Sequence, residues 1–499
     1  MCQTRAGRAF RVLATVYAFA GATLLITAPA AVATEVNAKF AQAMEVRAPS
    51  NAGTTPPAPQ AGLDGISCTS AGKCTAVGTY EDSSGHGQAM EATETSGTWE
   101  QAAEITASAN AGTNPDASLG GISCTSAAKC VAVGSYLDSS GNGQAMEATE
   151  TSGTWRQVTK VTAPPNAGTD PNAVLKGISC TSAGNCTAIG TYEDSSGNGQ
   201  AMEATETSGT WEQAAEITAP ANAGTNPEAL LYSISCTSAG GCVGVGSYLD
   251  SSSHLQAMEA TETSGTWEQA TKVTAPSNAG TNPEAVLKGI SCTSARKCTA
   301  VGQYLDGFGD GQAMDATETS GTWEQATKVT APSSAETNPS AKLYAVSCTS
   351  APTCTAVGTY EDTSSHPQAM EATEASGTWE QAAQITAPSD AGTNPQADLS
   401  AISCTSAGKC AAVGEYLDSS GSFQAMDARR ARHHRVPTPY ICASNRVWRA
   451  RGNSSARSPI RMTVRLSSRR CPTRPFSGAA SNSRGQTAGS ANSSRHLSG

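Results

Sequence analysis

The sequence is poor in aromatic residues, in long apolar runs and in the short motifs of common enzyme families. Aromatic residues make up 5 % of the 499 residues, so each folding unit can bury only a small core. After residue 28 no apolar stretch is long enough to cross a bilayer, so we expect no membrane span in the mature chain. No phosphate-binding loop, dinucleotide fingerprint or Ser-His-Asp spacing is present, so the chemistries that depend on them are not expected.

The first 33 residues have the features of a secretory signal. Arg5, Arg8 and Arg11 precede an apolar run over residues 12–28, and residues 31–33 (Ala-Val-Ala) offer a cleavage site of small residues. No cysteine follows the apolar run at a position for lipid attachment. The sequence therefore predicts a signal peptide and a secreted, extracellular protein, with a retained N-terminal anchor as the alternative.

Cysteine usage agrees with export. Of seventeen cysteines, fourteen form seven pairs with C-x5-C spacing, and such pairs in an exported chain predict disulfide bonds. Zinc is the alternative, but it requires four ligands, and no histidine or third cysteine lies near any pair. The predicted disulfides are Cys68–Cys74, Cys124–Cys130, Cys180–Cys186, Cys236–Cys242, Cys292–Cys298, Cys348–Cys354 and Cys404–Cys410.

The chain contains one unit of 56 residues that occurs seven times. The first cysteine of each pair recurs at that step from Cys68 to Cys404, and a tryptophan recurs at the same step from Trp99 to Trp379. Repeats of about this length indicate a solenoid, a propeller or an array. Within a unit, β-favouring runs alternate with turn residues and no run keeps a 3.6-residue apolar period, which predicts four antiparallel strands. Residues 34–428 are therefore predicted to form an all-β, seven-bladed propeller.

The two ends of the array predict how the ring closes. The seventh copy stops after its third strand, at residues 424–427. Residues 40–49 match the missing fourth strand, with Phe40 in place of tryptophan. An N-terminal strand that completes the last blade closes the ring and removes the exposed sheet edges. Simple truncation of one copy is the alternative.

The unit L-x-G-I-S-C-T-S-A-x-x-C-x-A-V-G-x-Y, followed by S-G-T-W, resembles repeats in large secreted proteins of high-GC soil bacteria. The resemblance covers residues 40–428 and implies a propeller-like fold without a defined activity. Residues 205–211 also resemble, more weakly, the Asp-box of sialidase-type propellers, although Thr207 stands where the box has aspartate. That box implies a fold rather than an activity. Sialidase-like catalysis needs an arginine cluster, and the repeats contain only three arginines.

The repeats predict no catalytic residue and no cofactor. A general base is needed once, with a partner that orients it, whereas His86, His254 and His366 share one loop position that varies between copies. Calcium is the alternative cofactor, because residues 194–199 place side-chain oxygens and a glycine as a calcium loop does. However, Thr205 stands where the bidentate acid is required, and turn formation alone explains the segment.

Differences between copies concentrate near the loop that joins the second and third strands. In a four-stranded blade this loop and the connection to the next blade lie on the same face of the ring. Variable polar loops over a constant scaffold are typical of a binding surface, and drift in tolerant loops is the alternative. The predicted ligand-face residues are His86, Asn142, Asn198, His254, Asp310, His366 and Phe423.

Composition changes sharply after Ala428. Residues 429–499 form an Arg/Ser-rich tail with fifteen arginines and no acidic residue, whereas residues 34–428 hold all 42 acidic residues against 14 Lys and Arg. We expect this tail to be disordered. It is explained either by out-of-frame reading of GC-rich DNA or by a polybasic segment that binds anionic wall polymers. Nucleic acid is not a predicted partner, because an exported protein seldom meets it.

These features together predict a secreted, non-catalytic binding or scaffold propeller at or outside the cell envelope. Its predicted ligand is a glycan or a protein, and we expect a monomer. The alternative is a glycoside hydrolase or lyase that uses the central channel. Such an enzyme needs one blade with an acidic or basic residue that the other blades lack, and no convincing example stands out among the copies.

Overall fold

The structure is a computed structural model that describes residues 39–54, 60–350 and 353–430. The predicted signal peptide and the tail beyond Arg430 lie outside the described residues. The described chain is all-β and forms seven antiparallel sheets, one per repeat. The innermost strands are β2 (Gly62–Ser70), β7 (Ser118–Ser126), β12 (Val174–Ser182), β17 (Leu230–Ser238), β22 (Val286–Ser294), β27 (Lys342–Ser350) and β32 (Asp398–Ser406).

Each innermost strand forms a hairpin with a second strand, which pairs in turn with a third. The second strands are β3 (Lys73–Glu81), β8 (Lys129–Leu137), β13 (Asn185–Glu193), β18 (Gly241–Leu249), β23 (Lys297–Leu305), β28 (Thr353–Glu361) and β33 (Lys409–Leu417). The third strands are β4 (Gly87–Thr95), β9 (Gly143–Thr151), β14 (Gly199–Thr207), β19 (Leu255–Thr263), β24 (Gly311–Thr319), β29 (Pro367–Ala375) and β34 (Phe423–Arg429).

The fourth strand of each blade is interrupted, which differs from the single strand that the sequence predicts. Its two parts both pair with the third strand, as Thr210–Trp211 and Ala215–Ile217 do in blade 3. Between them the chain turns towards the preceding blade, where the Ala214 N–H donates to the Thr162 carbonyl at 2.9 Å. At the interruption, backbone hydrogen bonds to the third strand of the same blade are therefore replaced by backbone hydrogen bonds to the preceding blade.

The interrupted strands have matching bounds in the first six blades. They are β5 (Thr98–Trp99) and β6 (Ala103–Glu104), β10 (Thr154–Trp155) and β11 (Thr159–Lys160), β15 (Thr210–Trp211) and β16 (Ala215–Ile217), β20 (Thr266–Trp267) and β21 (Thr271–Lys272), β25 (Thr322–Trp323) and β26 (Thr327–Val329), and β30 (Thr378–Trp379) and β31 (Ala383–Gln384).

The ring closes as the sequence predicts. Strand β1 (Met44–Glu45) pairs antiparallel with β34 of the seventh blade, and Met44 lies opposite Asp427. Phe40 forms a further bridge with Arg430, so the last blade extends past Ala428. Strand β2 packs against both β7 and β32, and the innermost strands therefore form a continuous ring around a central channel.

The hydrophobic core lies between neighbouring blades. Between blades 1 and 2, Val77 and Ala89 of the first pack on Leu119, Tyr136 and Met146 of the second. Small alanine side chains allow the sheets to approach closely, so a lean set of aromatic residues fills the interior. The same combination recurs at each junction, which explains why one repeated sequence can build all seven.

The predicted disulfides are all formed across the necks of the first hairpins. Cys180 lies directly opposite Cys186 in the register of β12 and β13, with the Cα atoms 4.0 Å apart. The other six bonds repeat this arrangement. Seven disulfides are consistent with an extracellular protein, since oxidising compartments preserve them. Across the described ranges, no helix has the length and hydropathy needed to cross a membrane.

Candidate functional site at the channel mouth

The two faces of the ring carry different turns. The connection that enters blade 2 is bound to that blade, because the Tyr136 hydroxyl donates to Asn110 Oδ1 at 2.8 Å and Ala111 bridges to Asp138. Asp138 begins the loop between the second and third strands, so this loop and the connection share one face, as predicted. The cysteine turn and the Ser-Gly turn lie together on the opposite face, as the 3.0 Å bond from Gly209 N–H to the Gly184 carbonyl shows.

A ring of unlike side chains lines the channel mouth on the first of these faces. In each innermost strand, a β-bulge follows a constant leucine, and one residue is left without a cross-strand partner. A bulge changes the direction in which a side chain points. All seven of these bulge residues line a cavity of about 280 Å³. Going round the ring they are Asp64, Gly120, Lys176, Tyr232, Lys288, Tyr344 and Ser400.

Three carboxyl groups gather where blades 7 and 1 meet. Asp398 begins β32 and lies opposite Glu415 of β33, and Asp64 follows in β2. Gly62 leaves space for Glu415, because a Cβ atom there would lie 2.6 Å from Glu415 Oε2. The second-strand position of Glu415 holds threonine, serine or glutamine in the other six blades. This part of the channel wall is therefore acidic and has no equivalent elsewhere in the ring.

Enclosure in the channel raises the pKa of all three carboxyl groups. Asp64 is open to the channel, but the surrounding walls replace most of its water and raise its pKa to about 6, against the opposing effect of Lys176. Burial raises the pKa of Asp398 to about 6, although Ser400 Oγ donates to Asp398 Oδ1 at 3.1 Å. Burial and the charges of Asp398 and Asp64 raise the pKa of Glu415 to about 7.

Cationic and aromatic side chains occupy the rest of the mouth. The Lys288 amine lies 3.4 Å from the centroid of the Tyr232 ring, a cation–π contact. Burial, and then the charge of Lys342, lowers the pKa of Lys288 to about 8. Burial and the nearby charges of Asp398 and Glu415 raise the pKa of Tyr344. The mouth thus presents carboxylates, amines, phenol groups and ring faces within one cavity.

The cavity is suited to a small polar ligand. Its volume lies just below the range of about 300–1,000 Å³ that is typical of ligand pockets. Carboxylates accept paired hydrogen bonds from neighbouring hydroxyl groups, and tyrosine rings offer flat apolar faces. Over the described ranges, no group of three or more His, Cys, Asp or Glu residues is arranged to hold a metal ion.

The predicted ligand-face residues do not line this cavity. In blade 3 the Asp194 Oδ1 atom accepts the backbone N–H groups of Ser196 and Asn198, and Asn198 Nδ2 donates to Asp194 Oδ2 at 3.1 Å. His86 and His254 occupy the equivalent loop position in blades 1 and 4, where their backbone N–H groups bind the corresponding aspartates. These are side-chain-capped turns, in which the aspartate that suggested calcium is bonded to its own loop. A role of the loop residues in ligand contact stays a prediction.

The sequence comparison of the copies missed the channel site. The prediction that no blade carries a distinctive charged residue was wrong, because Asp64, Asp398 and Glu415 each lack an equivalent in the other blades. The available signal was the position after the constant leucine, where seven copies carry five residue types. This position could not be assigned to the channel from the sequence, because the alternation of residues along a strand reveals neither the bulge nor the direction in which the side chain of the bulge residue points.

No protein-family model matches the chain, and no curated protein matches it. Among solved structures, a protein of unknown function from Dyadobacter fermentans is 12 % identical, with a TM-score of 0.42 over 79 % of this chain and 99 % of that one. A polysaccharide lyase described as an ulvan lyase is 8 % identical, with a TM-score of 0.43 over 77 % and 94 %. A fucose-specific lectin from Aleuria aurantia is 12 % identical, with a TM-score of 0.36 over 65 % and 96 %. Similarities this low do not bear on what the present chain binds.

Proposed function

We propose that this protein is an exported, non-catalytic binding propeller that acts at or outside the cell envelope, and that its ligand is a glycan bound at the channel mouth. One observation carries the proposal. Copies that are nearly identical in their packing residues differ from one another at the residues that line the channel.

Drift in a tolerant position does not explain this pattern well. Enclosing a charged group costs free energy unless it is paired, so unselected change in the channel favours small neutral residues such as Gly120 and Ser400. Three of the seven bulge residues are instead charged, and two are tyrosines. Meanwhile the preceding leucine, which packs in the core, is the same in every copy. Selection for a ligand accounts for both the variation and its chemistry.

A glycan fits the cavity better than a protein does. A protein partner would contact the broad face of the ring, whereas the distinctive residues line a confined mouth. Sugar rings combine hydroxyl groups, which carboxylates and amines bind, with apolar faces, which aromatic rings bind. Tyr232, Tyr344 and Asp64 supply these groups from three different blades.

A glycan array probed with the exported protein tests the proposal. We expect a restricted set of glycans to bind, and the double variant Tyr232→Ala/Tyr344→Ala to lose them by at least about tenfold in affinity. Phe308→Ser is the matched control, because Phe308 is a 93 % exposed side chain away from the cavity. Equal binding by the double variant, or no glycan bound by the wild-type protein, would contradict the proposal.

A glycoside hydrolase or lyase at the same mouth is the second candidate. Asp398 and Glu415 lie directly opposite each other in β32 and β33, and glycosidases act through a pair of neighbouring carboxyl groups. The pKa of Glu415, raised to about 7, suits a general acid. Release of new sugar ends from a bound glycan, abolished in Glu415→Gln, would favour this candidate over simple binding.

Export has its own test. The intact mass of the secreted protein, before and after reduction and alkylation, should correspond to processing after Ala33 and to seven intramolecular disulfides. An unprocessed N-terminus or free thiols in the paired cysteines would contradict an extracellular role.

A further inference from the structure

The junctions between neighbouring blades hold carboxyl groups of their own, away from the channel mouth. Between blades 2 and 3, Glu147 of β9 approaches Glu206 of β14, and Trp211 of β15 lies beside them. Glu206 is 5 % exposed, and burial followed by the charge of Glu147 raises its pKa. Within the described ranges, Glu206 Oε2 and Trp211 Nε1 are buried atoms without a hydrogen-bond partner, and so are their counterparts in the other five blades that have this strand. One acceptor and one donor therefore remain unused here, as they do in those blades.

These groups border a cavity of about 360 Å³. One wall is the Cys180–Cys186 disulfide, and Gly184 and Gly209 from the cysteine and Ser-Gly turns complete it. Because those turns lie on the face opposite the channel mouth, this cavity is separate from the site described above. It combines an indole ring with buried polar atoms, as small-molecule sites commonly do.

Two cations stand at the rim of this cavity. Arg156 and Lys129 line it and are both exposed. Among the described residues, the Arg156 guanidinium has no ion pair or side-chain hydrogen bond. A free guanidinium offers a planar set of donors that matches a carboxylate or sulfate group.

The arginine at this rim is peculiar to blade 2. The residue after the tryptophan is glutamate in the other five copies that have this strand, namely Glu100, Glu212, Glu268, Glu324 and Glu380. Gln157, the next residue, is also glutamine in all of those copies. Blade 2 therefore carries a positive charge where the other copies carry a negative one, while the next residue along the chain is the same.

We propose that the cavity between blades 2 and 3 is a second binding site, which takes an anionic sugar unit. Arg156 holds the acidic group at the rim, where Lys129 adds positive charge. A ring hydroxyl group donates to Glu206 Oε2 and another accepts from Trp211 Nε1, which satisfies both unused atoms. The indole ring supplies an apolar face for the sugar ring. At five other junctions a glutamate at the rim would repel the same ligand, and at the ring closure Arg429 and Arg430 are already ion-paired with carboxyl groups.

Titration calorimetry on the full exported protein tests this site. The probes are galacturonate and glucose 6-sulfate, which carry the two kinds of acidic group, and glucose as the neutral sugar. We expect at least one anionic probe to bind with a stoichiometry of one, and glucose to bind about tenfold more weakly or not at all. Equal binding of glucose and both anionic probes would overturn the proposal, and so would no binding of any probe.

Two variants use the repeats as internal controls. Arg156→Glu restores the residue of the other copies, so it should fold normally, and we expect it to abolish binding of the anionic probe. Glu100→Arg gives the junction between blades 1 and 2 the same two rim cations, because Lys73 occupies the position of Lys129 there, and we expect it to raise the stoichiometry from one to two. Unchanged affinity in Arg156→Glu, or a stoichiometry that stays at one in Glu100→Arg, would overturn the assignment of Arg156.

The channel variant separates this proposal from the proposed function. Tyr232→Ala/Tyr344→Ala changes only the opposite face, so it should leave binding of the anionic probe unaffected. Loss of probe binding in that variant would show that the probe binds at the channel mouth, and would overturn the second site while leaving the first intact.

Discussion

The channel wall and the blade junctions both enclose carboxyl groups, yet they do so in opposite ways. At the junctions the same pair of acidic residues recurs from blade to blade, as Glu147 with Glu206 and Glu203 with Glu262 illustrate. In the channel the acidic residues are confined to blades 7 and 1. A group that every copy repeats serves the fold at every junction, whereas a residue found in one copy, such as Asp64 in the channel or Arg156 at one junction, gives that place a chemistry of its own. The residues peculiar to one copy are therefore the ones that can make a binding site specific to one place.

The junctions themselves are of two kinds. Among the described residues, five of them pair two acidic side chains that form no ion pair with a cation, whereas at the two that flank the last blade an arginine is ion-paired to the carboxyl groups. Arg429 pairs with both Glu94 and Asp427, and Arg430 pairs with Glu371. Both arginines follow Ala428, so the closure of the ring uses residues from the start of the arginine-rich region.

Removing Arg429 should have the largest effect on stability. Glu94 and Asp427 are 2 % and 1 % exposed, so Arg429→Ala leaves two buried carboxylates without a cation. We expect the free energy of unfolding to fall by about 3 kcal/mol, measured by chemical denaturation at pH 8. Arg47→Ala, on an exposed side chain, is the control and should change it by less than about 0.5 kcal/mol. Equal effects of the two variants would show that the arginine is not needed at the ring closure.

Removing one disulfide should have the next largest effect. The double variant Cys180→Ser/Cys186→Ser releases a short loop in blade 3. We expect a loss of about 2 kcal/mol in the free energy of unfolding, from the greater freedom of the unfolded chain. Thermal unfolding of the reduced and oxidised wild-type protein provides the comparison, and no difference between them would contradict a stabilising role.

The carboxyl pairs at the junctions should make stability depend on pH. Burial raises the pKa of Glu203 to about 7, and the charge of Glu262 adds to this effect. A carboxyl group whose pKa is higher in the folded state stabilises the fold below its unfolded pKa, and that contribution is lost as the pH rises towards 7. We expect the wild-type protein to be more stable at pH 5 than at pH 8 by about 1–2 kcal/mol per such group.

Glu203→Gln sharpens this prediction, because glutamine cannot ionise. We expect the variant to show a smaller loss of stability between pH 5 and pH 8 than the wild-type protein. Glu284→Gln, on an exposed side chain, is the control and should leave the pH profile as it is. A wild-type protein that becomes more stable as the pH rises through this range would contradict the assignment.

The smallest effect should come from the loop residues. His86 is held by backbone bonds to Asp82, and its ring lies 3.9 Å from the Asp82 carboxylate. We expect His86→Ala to change the free energy of unfolding by less than about 0.5 kcal/mol and glycan affinity by less than a factor of about two. A large loss of glycan affinity in His86→Ala would instead indicate that the variable loops form the binding surface.

Repetition made most of the fold predictable. The steps from Cys68 to Cys404 and from Trp99 to Trp379 gave the number of blades, and Phe40 in place of tryptophan gave the closure. The interrupted fourth strand was not predictable, because it depends on bonds to the preceding blade that local propensity does not encode. The channel site was missed for a similar reason. The direction of Asp64 depends on a bulge, and its neighbours Asp398 and Glu415 come from the far end of the sequence.

The most direct test of the account is to close the channel mouth without altering its chemistry. Gly120 borders the cavity, and a Cβ atom there would meet only Lys176 backbone atoms, at ordinary contact distances of 3.5 and 3.9 Å. Gly120→Trp therefore fills the mouth, and Gly120→Ala is the matched control. The account predicts that the tryptophan variant folds, keeps its seven disulfides and loses the glycans that the wild-type protein and the alanine variant bind. Unchanged glycan binding by a folded Gly120→Trp variant would contradict the assignment of the channel mouth as the binding site.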